Sequence, residues 1–238
     1  MKALVIDTST KYLALGAVSW SAGGLKIDHN ATPMRCEYVT SKIGTNLTDF
    51  LSQRNAQLSD FDAVVIGRGP GSFTGIKIGI AFAEGLARGS SKKKLNLIGF
   101  SGLESLAIQS ESPGVWVLKA THAEGYVAVK SPLGVQMYLV QVGGDLELKS
   151  IGDRRKADPE VLSGFPCYMI DPWPEFEEKT RSIALQHKVF DAAELCEIMV
   201  NGLANQCYRN QGNLESHKLE PFYARFSAPQ EKLLGNQG

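Results

Sequence analysis

The chain has 238 residues, 43% of them hydrophobic, and its 25 basic residues balance 25 acidic ones, so its formal net charge is zero. This length is enough for one large domain or for two lobes. A neutral chain has no overall electrostatic footprint for nucleic acid, and no apolar run approaches the roughly 20 residues of a membrane span. The four cysteines lack paired spacing, which disfavours a disulfide framework and a zinc site. We therefore expect a cytoplasmic protein that does not enter membranes.

The first half of the chain predicts an α/β unit that opens with antiparallel strands. The hydrophobic pattern predicts, in order, strands at 2–6, 12–18 and 25–29, a helix at 38–53, a strand at 61–66, a helix at 75–89, a strand at 95–98 and a helix at 101–110. Three strands followed by alternating helices and strands are typical of a ribonuclease-H-like fold.

The second half predicts a related unit, although no sequence repeat is visible. Its predicted elements are strands at 115–118, 125–129, 135–142, 146–151 and 167–170, and a long helix at 191–208. We expect an α/β fold of two ribonuclease-H-like lobes. The N-terminal lobe would comprise residues 1–112 together with the C-terminal segment 210–228, and the C-terminal lobe would comprise residues 113–209.

A glycine-rich loop at 67–75, Gly-Arg-Gly-Pro-Gly-Ser-Phe-Thr-Gly, joins a buried strand to a helix. Such a loop can present free backbone N–H groups to an anion. It lacks the Gly-Lys-Ser/Thr ending of a Walker motif and the spacing of a dinucleotide fingerprint. A polar turn follows the first strand, and two interpretations of it remain open. Its side chains either hydrogen-bond the turn itself or belong to a vestigial nucleotide or phosphate site made of Asp7, Thr8, Ser9, Thr10, Gly69 and Gly71.

The helix predicted at 75–89 has more apolar surface than one sheet can cover. Lys77, Glu84 and Arg88 share a narrow charged arc, and apolar or small residues occupy most of the remaining circumference. This pattern fits either a fully buried core helix or a helix that binds a partner.

No self-sufficient active site is visible in the sequence. The four histidines are scattered, without His-Glu-x-x-His, and no Gly-x-Ser-x-Gly elbow occurs. Two further classes remain as alternatives: a stand-alone actin-fold ATPase or small-molecule kinase, and a module that binds tRNA directly. The second would show a strongly salt-dependent RNA affinity, which the neutral charge disfavours.

Three segments resemble the TsaB family, also called YeaZ: Asp-Thr-Ser-Thr at 7–10, the block 67–79, and Glu-Pro-Phe-Tyr-Ala-Arg at 220–225. The resemblance covers the whole length, with the second lobe more divergent. It implies a two-lobed fold of the actin and sugar-kinase type (ASKHA). It also implies a non-catalytic subunit that binds and activates its paralogue TsaD in the complex that makes N6-threonylcarbamoyladenosine in tRNA.

The resemblance further implies the partners and the surface that binds them. In the family, the first two helices form a heterodimer with TsaD and a homodimer when TsaD is absent, TsaE joins the pair, and tRNA is reached only through the complex. The corresponding interface residues of this sequence are Val39, Ile43, Leu47, Gly75, Ile76, Gly79, Ile80, Phe82, Ala83 and Ala87. No catalytic residue, metal or required cofactor is implied, and at most weak binding of ATP or ADP.

The sequence departs from the family pattern in two places. Glu-Tyr-Val at 37–39 stands where the family often has a histidine. Ala-Thr-His-Ala-Glu-Gly-Tyr at 120–126 replaces an Asp-Ala-Arg sequence followed by Gly-Glu-Val-Tyr. These departures weigh against a nucleotide or tRNA role for the cleft between the lobes and leave a scaffolding role untouched.

Overall fold

The structure is a computed structural model that describes residues 1–21, 23–29, 34–35, 39–90, 94–210 and 219. The strands of its first sheet are β1 Lys2–Asp7, β2 Tyr12–Ser21, β3 Gly24–His29, β4 Met34–Arg35, β5 Ala63–Gly67 and β6 Asn96–Phe100. In the described residues the strand order is β3-β2-β1-β5-β6, and the short β4 pairs with β2. Strands β1, β5 and β6 are parallel, whereas β2 is antiparallel to β1 and β3.

The helices are α1 Val39–Ser52, α2 Phe73–Gly89, α3 Gly102–Gln109, α4 Pro174–Thr180 and α5 Ala192–Arg209. Alternate residues of β1 point to opposite faces of the first sheet, as the two-residue repeat of a strand requires. Leu4 and Ile6 pack in a cluster with α1 and α2. Ala3 and Val5 pack on the other face, in a cluster with α3 and α5. Both faces of the sheet are therefore covered by helices.

The second sheet repeats the plan of the first. Its strands are β7 Gly114–Lys119, β8 Glu124–Ser131, β9 Gly134–Gln141, β10 Glu147–Ser150, β11 Lys156–Ala157, β12 Pro166–Met169 and β13 Gln186–Val189. In the described residues the order is β11-β10-β9-β8-β7-β12-β13. The run β9-β8-β7-β12-β13 has the same order and strand directions as β3-β2-β1-β5-β6. The prediction of an α/β fold with two related lobes is confirmed.

Helices α3 and α5 form a layer between the two sheets. One hydrophobic cluster joins Val5 of the first sheet, Leu106 of α3, Leu203 of α5 and Trp116 of the second sheet. Helix α5 packs on β1, β2 and β3, and α3 packs on β7, β8 and β9. The last helix of the segment predicted as the C-terminal lobe thus lies against the first sheet. The division at residue 112 stays a prediction.

The C-terminal segment 210–228 lies outside the described residues except for Asn210 and Leu219. Leu219 is buried and belongs to the cluster that also contains α1 and α2. The inclusion of this segment in the first lobe therefore stays a prediction with one contact in its favour.

The predicted helices 38–53, 75–89 and 101–110 correspond to α1, α2 and α3 with ends that differ by at most two residues. The structure adds β4, β11, α4 and β13, which the sequence pattern did not reveal. Helix α4 begins at Pro174, and proline is compatible with the first turn of a helix. Strand β13 is mostly exposed and polar at an edge of its sheet, so it has little hydrophobic signal.

Candidate functional site

The polar turn after β1 is enclosed by the rest of the chain. Asp7, Thr8, Ser9 and Thr10 are all buried. The Ser9 backbone N–H and hydroxyl donate to Asp7 Oδ1, at 2.9 and 2.8 Å. The Thr10 hydroxyl donates to the carbonyl oxygen of Tyr12 at 3.1 Å. These bonds are local, as the interpretation of a self-bonded turn requires.

The Asp7 carboxyl occupies a space left by two glycines. A Cβ at Gly67 would overlap Oδ2 of Asp7, and one at Gly102 would lie 3.1 Å from it. This oxygen accepts no hydrogen bond from the described residues. Burial raises the pKa of Asp7 to about 6 from 3.8, although the Ser9 hydrogen bonds oppose the shift. The carboxylate is therefore held away from solvent.

The glycine-rich loop packs against this turn, and that contact explains why its glycines and those of α2 recur every four residues. A Cβ at Gly71, Gly75 or Gly79 would overlap Ser9 O, Thr8 O or Thr8 Oγ1 respectively. The Ser72 backbone N–H donates to Ser9 O at 2.7 Å, and the Thr8 hydroxyl donates to Gly75 O at 2.7 Å. A glycine every four residues thus lets loop and helix approach the turn closely.

The candidate phosphate residues are brought together, but mainly by contacts with one another. Gly69 lies in the left-handed region, with φ of +100°, and its carbonyl oxygen accepts from the Gly102 N–H at 3.0 Å. Ser72 caps α2, where its hydroxyl accepts from Gly75 N at 3.2 Å. These bonds account for the loop without a bound anion. A nucleotide at this turn stays a prediction.

The second lobe closes its matching turn with a large side chain. The loop between β12 and α4 corresponds in position to the glycine-rich loop of the first lobe. Trp173 of this loop is fully buried, and its indole N–H donates to the carbonyl oxygen of His122 at 2.9 Å. Its ring fills the space beside Gly125, where a Cβ would overlap it. The divergent segment 120–126 is thus anchored from within the lobe.

Most of the predicted interface side chains lie in the core of the chain itself. The buried ones are Ile43, Leu47, Gly75, Ile76, Gly79, Ile80 and Ala83. Phe82 and Ala87 are half-buried, and Val39, the first residue of α1, is described only by its backbone. The buried side chains face the first sheet or the polar turn and cannot also contact a partner. This corrects which side of α2 a partner can reach, while an interface on these helices stays a prediction.

The accessible side of α2 has small and apolar residues, and one of them, Phe82, is among the predicted interface residues. Ala81 and Gly85 are exposed, Ile78 and Phe82 are half-buried, and the exposed Gly44 of α1 lies beside the Phe82 ring. We call these five residues the outer surface. The signal that could have identified it is Gly85, a glycine inside a helix. Apart from the neighbouring helix backbone, no atom of the described residues lies within 4 Å of the position its Cβ would take.

The described residues contain neither a metal-binding cluster nor a membrane-spanning helix. No group of three His, Cys, Asp or Glu side chains there could hold a metal ion. His122 and His187 lie apart in the second lobe, and His217 is outside the described residues. None of the described helices combines the length and apolar character needed to cross a bilayer.

Two sheets of matching strand order, with a helical layer between them and a turn closed by a glycine-rich loop, define a two-lobed protein of the actin and sugar-kinase type. The family model of TsaD, the tRNA N6-adenosine threonylcarbamoyltransferase, matches residues 38–134. The tRNA threonylcarbamoyladenosine biosynthesis protein TsaB of Haemophilus influenzae is 34% identical over 98% of both chains. The chain belongs to the TsaB family.

Two further relatives support the kinship and the fold. The TsaB protein of Escherichia coli K12 is 37% identical over 107 residues, which span 45% of this chain and 43% of that protein. The YeaZ structure from Pseudomonas aeruginosa superposes with a TM-score of 0.62 at 18% identity, covering 93% of this chain and 99% of that one. At that identity the structural match supports the fold alone.

Proposed function

We propose that this chain acts in tRNA threonylcarbamoyladenosine biosynthesis as a non-catalytic subunit that binds and activates TsaD. The observation that carries the proposal is the 34% identity to the Haemophilus influenzae TsaB protein over 98% of both chains. The TsaD family model matches the segment that contains α1, the glycine-rich loop and α2. A chain related to TsaD in these helices can pair with it much as two copies of one fold pair.

The non-catalytic role is supported by the geometry of the polar turn. The Asp7 carboxyl, which would be the acidic group of an actin-like active site, is buried between Gly67 and Gly102. The residues around it hydrogen-bond one another. A substrate could reach this carboxyl only if the glycine-rich loop and the start of α3 moved apart.

The outer surface supports contact with a partner helix. Glycine inside a helix costs roughly 1 kcal/mol relative to alanine. Thr8 explains this cost at Gly79, but nothing within the described chain explains it at Gly85. Exposed Ala81 and Gly85 would let a second helix approach closely, and Phe82 would supply apolar area beside them. We place the TsaD contact on this surface.

The other partners of the proposal come from the family resemblance. The outer surface would pair two copies of this chain when TsaD is absent, so homodimer and heterodimer would exclude each other. TsaE and tRNA would be engaged by the assembled pair. The subunit would need no cofactor of its own, and calorimetry of the isolated chain with ATP and magnesium is expected to show weak binding or none, without turnover.

The test is an Ala81→Arg variant, which places a long charged side chain on an exposed position of α2. We expect it to fold and to bind the same organism's TsaD at least about tenfold more weakly, because a cation would be buried in the contact. Ala193→Arg is the matched control, since Ala193 is an exposed alanine of α5. Association is measured by sedimentation or calorimetry.

The second readout is modification of tRNA by TsaD, TsaE and the threonylcarbamoyl-AMP synthase. Product formation is expected to need this chain, to fall with Ala81→Arg and to be unchanged with Ala193→Arg. Full activity without this chain would contradict the proposed function. Full TsaD binding by a folded Ala81→Arg protein would contradict the placement of the interface.

A further inference from the structure

A groove of about 320 Å³ opens on the first sheet, beyond the C-terminal end of α1. Its lining includes Lys2 of β1, Ser19 of β2 and Lys26 of β3, together with Asn55, Ala56 and Phe61 of the connection that leads to β5. We call it the Lys2–Lys26 groove. It belongs neither to the polar turn nor to the outer surface.

The strand register places three polar residues in one row across the sheet. Lys2 pairs with Ser19, and Ser19 pairs with Lys26. All three lie on the face of the sheet that carries α1, because Leu4 and Ala17, two positions further along their strands, pack with the α1 cluster. The two lysine Cα atoms are two strand spacings apart, roughly 10 Å. Their flexible stems can therefore converge on one group above Ser19.

The groove also holds carboxylates, and each accepts a hydrogen bond from a group other than the two lysine ammonium groups. Asp62 accepts from the backbone N–H of Lys2 at 2.7 Å. Arg54 is already engaged in a bidentate pair with Asp28, at 2.6 and 2.9 Å. One Asp60 oxygen accepts from the backbone N–H of Gln57 at 2.8 Å. Within the described part of the chain, Lys2 and Lys26 form no side-chain hydrogen bond or ion pair. Both side chains are exposed to solvent.

A phosphate group has the charge and the acceptor oxygens that two ammonium groups and a hydroxyl can bind. It carries about −1.5 to −2 charges at neutral pH and three strong acceptor oxygens, which matches two ammonium groups and one hydroxyl. The remaining volume, beside Ala56 and Phe61, has room for the group attached to the phosphate. We propose that the Lys2–Lys26 groove binds the phosphate of a small phosphorylated molecule, with Lys2, Ser19 and Lys26 as its ligands.

The full chain is titrated with inorganic phosphate, with AMP and with adenosine. Binding is measured by calorimetry and by the backbone amide NMR shifts of Ser19 and Lys26. The variant is Lys2→Gln combined with Lys26→Gln. Lys94→Gln combined with Lys149→Gln is the control, because it removes the same charge from lysines outside the groove. We expect saturable binding of AMP or phosphate that weakens roughly tenfold or more in the variant and less than about twofold in the control.

The titrations with AMP and with inorganic phosphate identify the source of the bound phosphate. Tighter binding of AMP than of phosphate would assign the groove to phosphate esters, and equal binding would assign it to the free ion. Three results would overturn the proposal: no saturable binding by the unaltered protein, unchanged binding by the variant, or adenosine binding as tightly as AMP. Binding of tRNA without binding of either small phosphate would also overturn it.

The phosphate site is independent of the TsaD contact proposed for the outer surface. Neither lysine lies on α1 or α2, so the groove variant is expected to bind TsaD within about twofold of the unaltered protein. A groove variant that loses phosphate but keeps TsaD, and an Ala81→Arg variant that loses TsaD but keeps phosphate, would separate the two sites.

Discussion

Asp7 is a carboxyl that the chain itself encloses at the end of β1. Its carboxyl is fully buried, one oxygen is bonded by Ser9, and the other faces Gly67 and Gly102. Burial raises its pKa to about 6, because the charged form loses its hydration. At neutral pH the ionised carboxylate therefore costs folding free energy.

The sign of this effect gives a pH prediction for Asp7→Asn. With a pKa of 3.8 in the unfolded chain and about 6 when folded, the protonated carboxyl stabilises the fold below pH 3.8, and that contribution is lost as pH rises through 6. Relative to the unaltered protein, Asp7→Asn should become more stable between these pH values, by roughly 3 kcal/mol at most. Urea unfolding at several pH values measures it.

The control for that experiment is Asp49→Asn, which removes an exposed carboxyl from α1. It is expected to change the pH dependence of stability much less, because an exposed carboxyl is hydrated in both states. If the stability difference between Asp7→Asn and the unaltered protein stays constant from acid to neutral pH, the raised pKa of Asp7 is refuted.

At the scale of elements, glycines of helix α2 have different surroundings on its two sides. Gly75 and Gly79 face the polar turn, where any side chain would overlap Thr8. Gly85 faces solvent with open space around it. Glycine thus allows close packing within the chain on one side of the helix and leaves the other side accessible to solvent.

This contrast predicts opposite effects for two alanine substitutions in one helix. Gly79→Ala should destabilise the fold by about 1–3 kcal/mol, because its Cβ would displace a Thr8 hydroxyl that is bonded to Gly75. Gly85→Ala should stabilise it by up to about 1 kcal/mol through helix propensity. Chemical denaturation measures the free energy of unfolding of both variants. Changes of the same sign would contradict the assignment of the two faces of α2.

At the scale of the whole molecule, the layer formed by α3 and α5 unites the lobes. Its cluster includes side chains from both sheets, so neither sheet has a complete core of its own. Lys11 of the first polar turn also pairs with Asp171 of the second lobe, at 2.5 Å. The pair is partly exposed, so we expect the apolar layer to dominate the coupling.

We therefore expect one cooperative unfolding transition. Leu106→Ala, in the buried part of α3, should lower stability by about 2–5 kcal/mol without separating the transition into two. In each protein, tryptophan fluorescence, to which Trp20 of the first sheet and Trp173 of the second lobe contribute, and far-UV circular dichroism would report the same midpoint. Midpoints that separate in Leu106→Ala would show that the lobes unfold independently.

The amino-acid sequence by itself determined the elements and their order over most of the chain. The continuous apolar run of β1, which is buried on both faces, and Ser72, the N-cap of α2, are local signals that the sequence alone displays. The motifs at 7–10, 67–79 and 220–225 predicted the family, and the identity to the Haemophilus influenzae protein confirms it. The polar edge strand β13 carried no such signal.

Only the tertiary structure decided which side of each element is accessible. The family resemblance placed Gly79 and Ala83 of α2 in the partner interface, yet these residues lie against the chain's own turn and sheet. The position of α5 against the first sheet, and the row formed by Lys2, Ser19 and Lys26, likewise depend on residues far apart in the chain. Periodicity defines a face, but long-range contacts determine what covers it, because burial depends on the whole fold.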